Sequence, residues 1–314
     1  MSDAPLDLDS PIYVAGHRGM VGSAIVRRLE AGGYSNIVSA TRDELDLRNA
    51  SAVQAFLADR RPAFIHMAAA KVGGIHANNT RRADFLAENL AIELSLITGA
   101  HAAGIDRLLF LGSSCIYPRD CPQPIREDYL LTGPLEPTNE PYAIAKIAGI
   151  KLCEAYAAQH GRRYFSVMPT NLYGPNDNYD LATSHVLPAL IRKAHEAKQA
   201  DAPSLTLWGS GKPFREFLHA DDLADACVFL MERNYSGPLL NIGTGTDITI
   251  AGLAAEICNI VGYRGALVYD SAKPDGTPRK LLDVGRMKAL GWEAQTDLQT
   301  GLQQTYADFL ATLA

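Results

Sequence analysis

A tyrosine and a lysine four residues apart, with a serine about 30 residues before them, have the types and spacing needed for proton transfer. Tyr142 and Lys146 stand in an alanine-rich run that Pro141 can begin as a helix, so both side chains project from one helix face. A free phenol has a pKa of about 10, and a nearby ammonium stabilises its ionised form. The Ser113 hydroxyl then orients a substrate oxygen that the tyrosine protonates. Taken alone, the short pattern is more typical of two residues that merely share a helix surface.

The elements that must position these side chains alternate between short apolar runs and amphipathic stretches of helical length. The apolar runs occupy residues 11–16, 36–41, 63–69, 107–113, 164–173 and 238–244. The longest helical stretches, 83–104 and 142–161, are rich in alanine and leucine, and we expect them to pack together. Strands buried on both faces and separated by helices indicate an α/β fold with a Rossmann-type doubly wound parallel sheet.

The composition is that of an ordinary globular protein. Of the 314 residues, 47% are hydrophobic and 20% are charged, which disfavours disorder and coiled coil. The net charge of -6 argues against a general surface for nucleic acid or anionic membrane, although a local basic pocket can still hold a phosphate.

Cysteine usage and the start of the chain bear on location. The five cysteines lack a metal-ligand spacing, and their odd number suggests free thiols in a reducing compartment. The acidic N-terminus is unlike a secretory signal, and no apolar run reaches membrane-spanning length. We therefore expect a cytoplasmic protein with no bound metal, no nucleic-acid partner and no membrane partner.

The first apolar run breaks into a glycine-rich turn that leads into a helix. Its residues are Gly16, His17, Arg18, Gly19, Met20, Val21 and Gly22. Glycine permits a tight turn and lets backbone N–H groups approach a pyrophosphate at the positive end of the helix. In a strand–turn–helix near the start of a doubly wound pattern, this spacing predicts dinucleotide binding.

The residues after the second apolar run select between the two nicotinamide dinucleotides. Arg42 is placed to meet the 2′-phosphate of NADP, and Arg18 in the glycine turn is placed to assist, so the expected cofactor is NADP. Asp43 keeps NAD open as a secondary cofactor. Arg42 can also be a solvated loop residue that pairs with Asp43 or Glu44.

The regular alternation weakens after Gly174, where a loop-rich section begins. We expect residues 11–174, completed by about 219–246, to form an NADP-binding Rossmann domain. Residues 175–218 and 247–314 are expected to form a smaller substrate-binding region that is interleaved with it.

The glycine turn, Ser113, Tyr142 and Lys146 stand in the order found in the extended short-chain dehydrogenase/reductase family, which the chain resembles. Further similarity, to members that act on GDP-linked 4-keto-6-deoxy sugars, runs through residues 69–75, 112–118, 136–142, 168–175 and 273–280. It covers almost everything from about Ile12 to the C-terminal helix. The resemblance implies a bifunctional NADPH enzyme that epimerises such a GDP-sugar beside its keto group and then reduces the ketone.

Epimerisation beside a ketone needs a base on one face of the sugar and an acid on the other, because the ketone acidifies the hydrogens on both neighbouring carbons. The resemblance assigns this pair to Cys115 and His185. It leaves Tyr142, Ser113 and Lys146 for the reduction. From the residues alone, Cys115 is more typical of a small buried apolar side chain, and His185 of a capping or loop residue.

The family pattern also implies the remaining contacts. NADP contacts are expected at Leu111, Gly112, Ser113, Ser114, Lys146, Pro169, Thr170, Asn171, Leu172 and His185. Asn171 and Leu172 end an apolar run, and ligands collect beyond the carboxyl ends of strands in open α/β sheets. Substrate contacts are expected at four positions that can equally be surface or packing residues: Lys193, Trp208, Arg215 and Asp275. Lys193 stands where relatives place an arginine, so it keeps the charge without the bidentate geometry.

The nearest alternative is another nucleotide-sugar epimerase or dehydratase of the same family. The 4,6-dehydratases usually carry an Asp-Glu pair after the fourth strand, where residues 114–117 contain none, and a simple 4-epimerase has no need of the cysteine–histidine pair. A non-catalytic NADP-binding protein is the alternative from another class, and the intact Ser113, Tyr142 and Lys146 argue against it. The resemblance further implies a homodimer built through the two long helices.

Overall fold

The structure is a computed structural model that describes residues 6–272 and 275–313, so the first two residues of the similar segment 273–280 lie outside the described residues. Its strands are β1 (Ile12–Ala15), β2 (Ile37–Val38), β3 (Phe64–Met67), β4 (Arg107–Leu111), β5 (Arg163–Pro169), β6 (Asn171–Tyr173), β7 (Ser204–Trp208), β8 (Phe214–His219), β9 (Leu240–Ile242), β10 (Asp247–Thr249), β11 (Ala266–Asp270) and β12 (Arg279–Lys280). Its helices are α1 (Met20–Ala31), α2 (Ala50–Arg60), α3 (Ile75–Thr80), α4 (Arg82–Ala102), α5 (Glu140–His160), α6 (Val186–Gln199), α7 (Ala220–Glu232), α8 (Ile250–Val261), α9 (Gly285–Leu290) and α10 (Leu298–Thr312).

A six-stranded parallel sheet forms the centre of the fold, in the order β2-β1-β3-β4-β5-β9. The chain order reverses at β1, which has β2 on one side and β3 on the other. In α/β sheets such a switch point opens a ligand-binding crevice at the carboxyl ends of the strands. The predicted α/β fold with a Rossmann-type doubly wound parallel sheet is confirmed.

The strands of this sheet are apolar because helices cover both faces. Every residue of β1, β3 and β4 is buried. One core lies between the sheet and helices α1 and α7, and a second lies between the sheet and helices α2, α4 and α5. Each of the six predicted apolar runs contains a strand. The run at 164–173 divides into β5 and β6, because the chain leaves the central sheet after Pro169 and pairs with β8.

The two long predicted helices are α4 and α5, and they pack against each other as expected. Pro141 is the second residue of α5, which ends at Gly161 in the left-handed conformation with φ 66°. A Cβ atom at Gly149 of α5 would lie 2.9 Å from the Glu93 carboxylate of α4 and 2.5 Å from the Phe110 ring of β4. Glycine is therefore needed there for the close approach of the two helices and the sheet.

A third core lies outside the central sheet. It joins helices α6, α8 and α10 to strands β7 and β8, with buried residues such as Leu190, Leu207, Phe217 and Ile257. Strands β6, β10 and β12 pair with β8, and β11 pairs with β7. These elements come from the later half of the chain, in which the predicted substrate-binding region lies. The division at the predicted residue boundaries stays a prediction.

Within the described ranges, none of the helices combines the length and the apolar character that a membrane span needs.

The glycine turn generates a test of packing. Gly22 is buried in α1, and a Cβ atom there would lie 2.6 Å from the Gly16 carbonyl carbon, whereas a Cβ at Gly19 would meet only the Gly16 oxygen at 3.5 Å. We expect Gly22→Ala to lower the free energy of unfolding of the cofactor-free protein by about 1–3 kcal/mol, because backbone has to move. Gly19→Ala, the matched control, should lower it by less than about 1 kcal/mol. Denaturant unfolding measures both, and equal losses would contradict the packing argument.

Candidate active site

The end of β4 and the first turns of α5 bring together the three residues predicted for reduction. Ser113 follows β4 in an extended conformation, and its hydroxyl hydrogen-bonds the Tyr142 phenol. Lys146 lies one turn after Tyr142, with its ammonium 5.9 Å from the centre of the tyrosine ring. The predicted helix face is therefore present, and it faces the strand end that carries the serine.

The Lys146 ammonium is buried and held by groups from two other elements. Its Nζ donates a hydrogen bond of 3.0 Å to the Leu111 carbonyl oxygen of β4 and lies 3.3 Å from Oε1 of Glu93 on α4. The Phe110 ring centre is 4.6 Å away, within cation–π distance. Both charged side chains are at most 3% exposed. Sequence reasoning missed Glu93, although a carboxylate among the apolar positions of an alanine- and leucine-rich helix was a visible signal.

The tyrosine titrates differently from the sequence-based expectation. Burial raises the pKa of Tyr142 well above its usual value, the neighbouring Cys115 and Glu93 raise it further, and the hydrogen bond from Ser113 lowers it. The expectation of a tyrosine brought into the neutral range by Lys146 is wrong for this structure, chiefly because the phenol is buried, and further because the Cys115 and Glu93 charges oppose its ionisation. A protonated phenol is the form that a general acid requires.

Cys115, His185 and a residue that sequence reasoning missed, Lys280, form a second group beside the tyrosine. Cys115 lies in a single 3₁₀ turn at 114–116 and is buried, His185 stands immediately before α6, and Lys280 lies in β12. The Lys280 charge acts on the titration of both Cys115 and His185. Cys115 and Lys280 also line a small cavity of about 40 Å³. Both members of the predicted acid–base pair, Cys115 and His185, therefore lie within the electrostatic influence of Lys280.

The resting protonation of this pair follows from its surroundings. Burial raises the pKa of the Cys115 thiol, and Lys280 and the Ser113 hydrogen bond oppose that shift. Burial and the nearby Lys280 charge lower the pKa of His185. At neutral pH the site therefore holds a protonated thiol and a neutral imidazole, which are one proton donor and one proton acceptor.

The four predicted substrate residues lie together around the carboxyl end of β7 and the start of β8. The Lys193 ammonium is 5.2 Å from the Trp208 ring, and Trp208 is 59% exposed. Asp275 accepts hydrogen bonds from the Ser210 amide at 2.6 Å and the Ser210 hydroxyl at 2.8 Å. The charges of Arg215 and Asp275 act on each other. An exposed aromatic ring and two cations are suited to a nucleotide base and its diphosphate.

Strand β8 links this group to the cysteine–histidine pair. Arg215 stands opposite Lys280 in the parallel pairing of β8 with β12. The buried Glu216 carboxylate accepts hydrogen bonds from the Gly245 amide at 2.7 Å and the Leu282 amide at 2.9 Å. Glu216 therefore fixes the segment that carries Lys280, a role that no short sequence pattern indicated.

The predicted cofactor turn follows β1 at the switch point of the sheet. Gly16 has φ 86°, and a Cβ atom there would lie 2.8 Å from the Ala69 backbone after β3. The turn leads directly into α1, whose positive end suits a pyrophosphate. Residues 17–22 follow on the same turn and the first turn of α1, so a dinucleotide fits the residues present.

The other predicted cofactor contacts lie at the ends of the neighbouring strands. Gly112, Ser113 and Ser114 follow β4, and Leu172 lies in β6. The Thr170 hydroxyl and the Asn171 side-chain amide both donate to the Glu216 carbonyl oxygen, at 3.2 and 2.8 Å. Their side chains therefore hold β8 in place. Contact between these strand ends and a cofactor stays a prediction.

Arg42 is exposed after β2. The Glu44 carboxylate accepts a hydrogen bond from the Thr41 amide at 2.7 Å. The hydrogen bonds from Thr41 lower the pKa of Glu44, and the charges of Arg18 and His17 lower it further, so the glycine turn and the loop after β2 face each other. This is the position at which the adenosine ribose lies in dinucleotide-binding sheets.

Residues 12–243 match the model of the NAD dependent epimerase/dehydratase family. The chain belongs to this family. The family-level resemblance inferred from the sequence is thereby confirmed.

The chain is 57% identical over 306 residues to a putative GDP-L-fucose synthase 2 of Arabidopsis thaliana, covering 97% of this chain and 93% of that relative. It is 56% identical over 308 residues to the GDP-L-fucose synthase of Escherichia coli strain K12, covering 95% of this chain and 96% of that one.

A solved structure of an epimerase-family relative also superposes on the fold. It is a GDP-L-fucose synthetase from Naegleria fowleri bound to NADP, with a TM-score of 0.90 at 27% identity, and it covers 99% of this chain and 98% of that one. The likeness extends over the central sheet and the third core together.

The exposed position of Arg42 generates a test of cofactor choice. We expect Arg42→Ala to raise KM for NADPH by about 10-fold or more, because a charge-assisted hydrogen bond to the 2′-phosphate is lost, and to leave KM for NADH nearly unchanged. Arg61→Ala, which removes an exposed arginine after α2, is the control. Initial rates with both cofactors measure the effect, and an unchanged preference would refute the assignment.

Proposed function

We propose that this protein converts GDP-4-dehydro-6-deoxy-D-mannose to GDP-L-fucose, by epimerisation at sugar carbons 3 and 5 and NADPH-dependent reduction of the 4-keto group. The observation that carries the proposal is the placement of two chemical sets in one site. Ser113, Tyr142 and Lys146 suit a reduction, and Cys115 with His185 suits proton exchange beside a ketone. High identity to GDP-L-fucose synthases over nearly the full chain supports the same conclusion.

Epimerisation requires a proton to leave each carbon and return on the opposite face. The C–H bond breaks, its electron pair delocalises onto the ketone oxygen, and an acid on the other face supplies a new proton to the carbon. The Cys115 thiol and the His185 imidazole supply the donor and the acceptor. The positive Lys280 beside them favours the negative charge that develops on the substrate. A further hydrogen bond to the oxygen comes from Ser113.

Reduction follows at the same ketone. NADPH, when bound, supplies the hydride that forms the new C–H bond at carbon 4. As the carbonyl electron pair moves to the oxygen, the O–H bond of Tyr142 breaks and its proton passes to that oxygen. Ser113 orients the oxygen, and Lys146 stabilises the phenolate that the tyrosine leaves behind.

The nucleotide part of the substrate is proposed to lie along β8 and the end of β7. Arg215 and Lys193 provide positive charge for the diphosphate, and the exposed Trp208 ring provides a stacking surface for a base. Asp275 orients Ser210 and leaves the backbone of that loop fixed. We propose the division into an NADP-binding domain and an interleaved substrate-binding region on these grounds.

We further propose a cytoplasmic homodimer. The five cysteines are free thiols, which suits a reducing compartment. Helices α4 and α5 lie side by side and expose large apolar residues, with Leu94 57% exposed and Ile144 43% exposed. Two such helix pairs meeting face to face would remove these side chains from water.

The decisive experiment is incubation with GDP-4-keto-6-deoxymannose in deuterium oxide, with and without NADPH. We expect deuterium at carbons 3 and 5 in both cases, and GDP-L-fucose with oxidation of NADPH only when the cofactor is present. Mass spectrometry and NMR of the product measure the label. A 4-reduced product without label would favour a simple reductase of the family, and an unchanged sugar would favour a non-catalytic NADP-binding protein.

Two variants separate the chemical sets. Cys115→Ala should still bind NADPH but should lower deuterium incorporation by at least about 100-fold, because the acid–base pair is incomplete. Tyr142→Phe should lower reduction by a similar factor and leave most of the exchange, because its phenol is the proton donor for the last step only. Equal loss of exchange and reduction in both variants would contradict the separate roles.

The dimer proposal has its own test. We expect the native mass by light scattering to be twice the 33.9 kDa of the chain. Leu94→Glu should yield monomers, because a charge replaces an apolar contact. Leu310→Glu changes a leucine of α10 that is 40% exposed and should keep the native mass. A monomeric wild-type protein would remove the proposal.

A further inference from the structure

Glu93 places a carboxylate where the packing of α4 against α5 calls for an apolar side chain. It is 2% exposed, and its Oε1 lies 3.3 Å from the Lys146 ammonium. The Gly149 backbone and the Phe110 ring close around it, since a Cβ atom at Gly149 would lie 2.9 Å from the Glu93 Oε2 and 2.5 Å from that ring. A buried carboxylate is costly to keep in a protein interior, so its position beside the catalytic lysine calls for a functional explanation.

The charged and titratable groups that face Glu93 come from α5. They are Lys146 at 3.3 Å, the Tyr142 phenol and the Cys153 thiol, and the titration of the last two is affected by the Glu93 charge. Strand β4 contributes the uncharged Phe110 ring. The Lys146 ammonium is therefore near both groups, 3.3 Å from the buried Glu93 carboxylate and 5.9 Å from the centre of the half-buried Tyr142 ring.

The protonation of the tyrosine in the resting protein sets the pH range in which it can donate a proton to a ketone or accept one from a hydroxyl. A tyrosine beside an unbalanced ammonium ionises more readily and suits the removal of a proton from a hydroxyl during oxidation. A tyrosine whose lysine is neutralised stays protonated and suits the donation of a proton during reduction. The serine, the tyrosine and the lysine suit either reaction, so a further group has to set the protonation of the tyrosine.

We propose that Glu93 is a positioning residue that neutralises Lys146 and keeps the Tyr142 phenol protonated, so that the serine–tyrosine–lysine set can donate a proton to the ketone up to a higher pH. This inference rests on the proposed reductase function. Burial raises the pKa of Glu93 to about 7 and Lys146 opposes the shift, so the carboxylate loses its proton around neutral pH and is charged in the alkaline range. Burial raises the pKa of Tyr142 most, the neighbouring Cys115 raises it further, and a charged Glu93 adds to the shift because it repels a phenolate. Removal of that charge must therefore lower the pKa of the phenol.

The test is the pH profile of kcat/KM for reduction in the wild type and in Glu93→Gln. The rate falls at high pH as Tyr142 loses its proton, and we expect the variant to move this alkaline limb to lower pH by about 1 unit or more. The deuterium exchange profile at carbons 3 and 5 should stay in place, because it depends on Cys115 and His185. A second readout needs no cofactor: the ultraviolet titration of tyrosinate in the free protein, taken as the difference from the Tyr142→Phe counterpart, should shift in the same direction.

Control variants separate the charge from the fold. Glu154→Gln removes an exposed carboxylate of α5 that pairs with Lys151, and both profiles should match the wild type. Glu93→Asp keeps the charge one methylene further from Lys146 and should move the limb in the same direction by less. If the glutamine variant does not bind NADPH, the aspartate variant decides alone, and a limb at the wild-type pH overturns the proposal.

The outcomes distinguish this proposal from the proposed function. If the wild type neither exchanges deuterium nor oxidises NADPH with the keto sugar, the proposed function fails, while the cofactor-free tyrosinate titration still tests Glu93. If the wild type reduces the sugar and Glu93→Gln keeps the same alkaline limb and the same tyrosinate titration, the proposed function stands and the role of Glu93 is refuted.

Discussion

The burial of one ammonium group, that of Lys146, is the constraint on which the active-site half of the structure depends. A charge in an apolar interior is tolerated only when other groups replace the water it has lost. Here a backbone carbonyl and an aromatic ring come from β4 and a carboxylate from α4. Loss of one partner of such a buried pair typically costs about 3–5 kcal/mol. The ammonium therefore ties two helices and a strand together while it supports the tyrosine.

The two proposed reactions can share one site because the residues assigned to them are separated by a single short turn. Ser113 ends the extended part of the chain after β4, and the 3₁₀ turn that follows carries Cys115. The serine hydroxyl hydrogen-bonds Tyr142 of α5, while the thiol lines the same small cavity as Lys280 of β12. The carbonyl carbon and its neighbours on a sugar ring are only one bond apart, so the two sets of residues have to be this close. The fold places the two sets close together because Ser113 and Cys115 are two residues apart in one segment of the chain.

The sequence predicted the central sheet and the shared helix face of Tyr142 and Lys146, because both depend on local patterns. Apolar runs between helices marked all six strands of the sheet, and a spacing of four residues placed Tyr142 and Lys146 on one face. Glu93 and Lys280 escaped prediction, because their importance arises from α4 crossing α5 and from β12 pairing with β8, contacts between residues far apart in the chain. The protonation of Tyr142 was predicted wrongly for the same reason, since the burial of the phenol and the Glu93 charge both arise from the packing of distant parts of the chain.

The two tryptophans of the chain lie in opposite surroundings. Trp208 is 59% exposed beside Lys193. Trp292 is 5% exposed in the core between the central sheet and helices α1 and α7, and its indole N–H donates a hydrogen bond of 2.9 Å to Asp225. Indole emission depends on exposure to water, so the two residues contribute separable signals. We expect the long-wavelength part of the fluorescence spectrum to come from Trp208 at the candidate nucleotide site and the short-wavelength part to come from the buried Trp292. One tryptophan is therefore placed to report binding at the candidate nucleotide site, and the other is placed to report unfolding of the core.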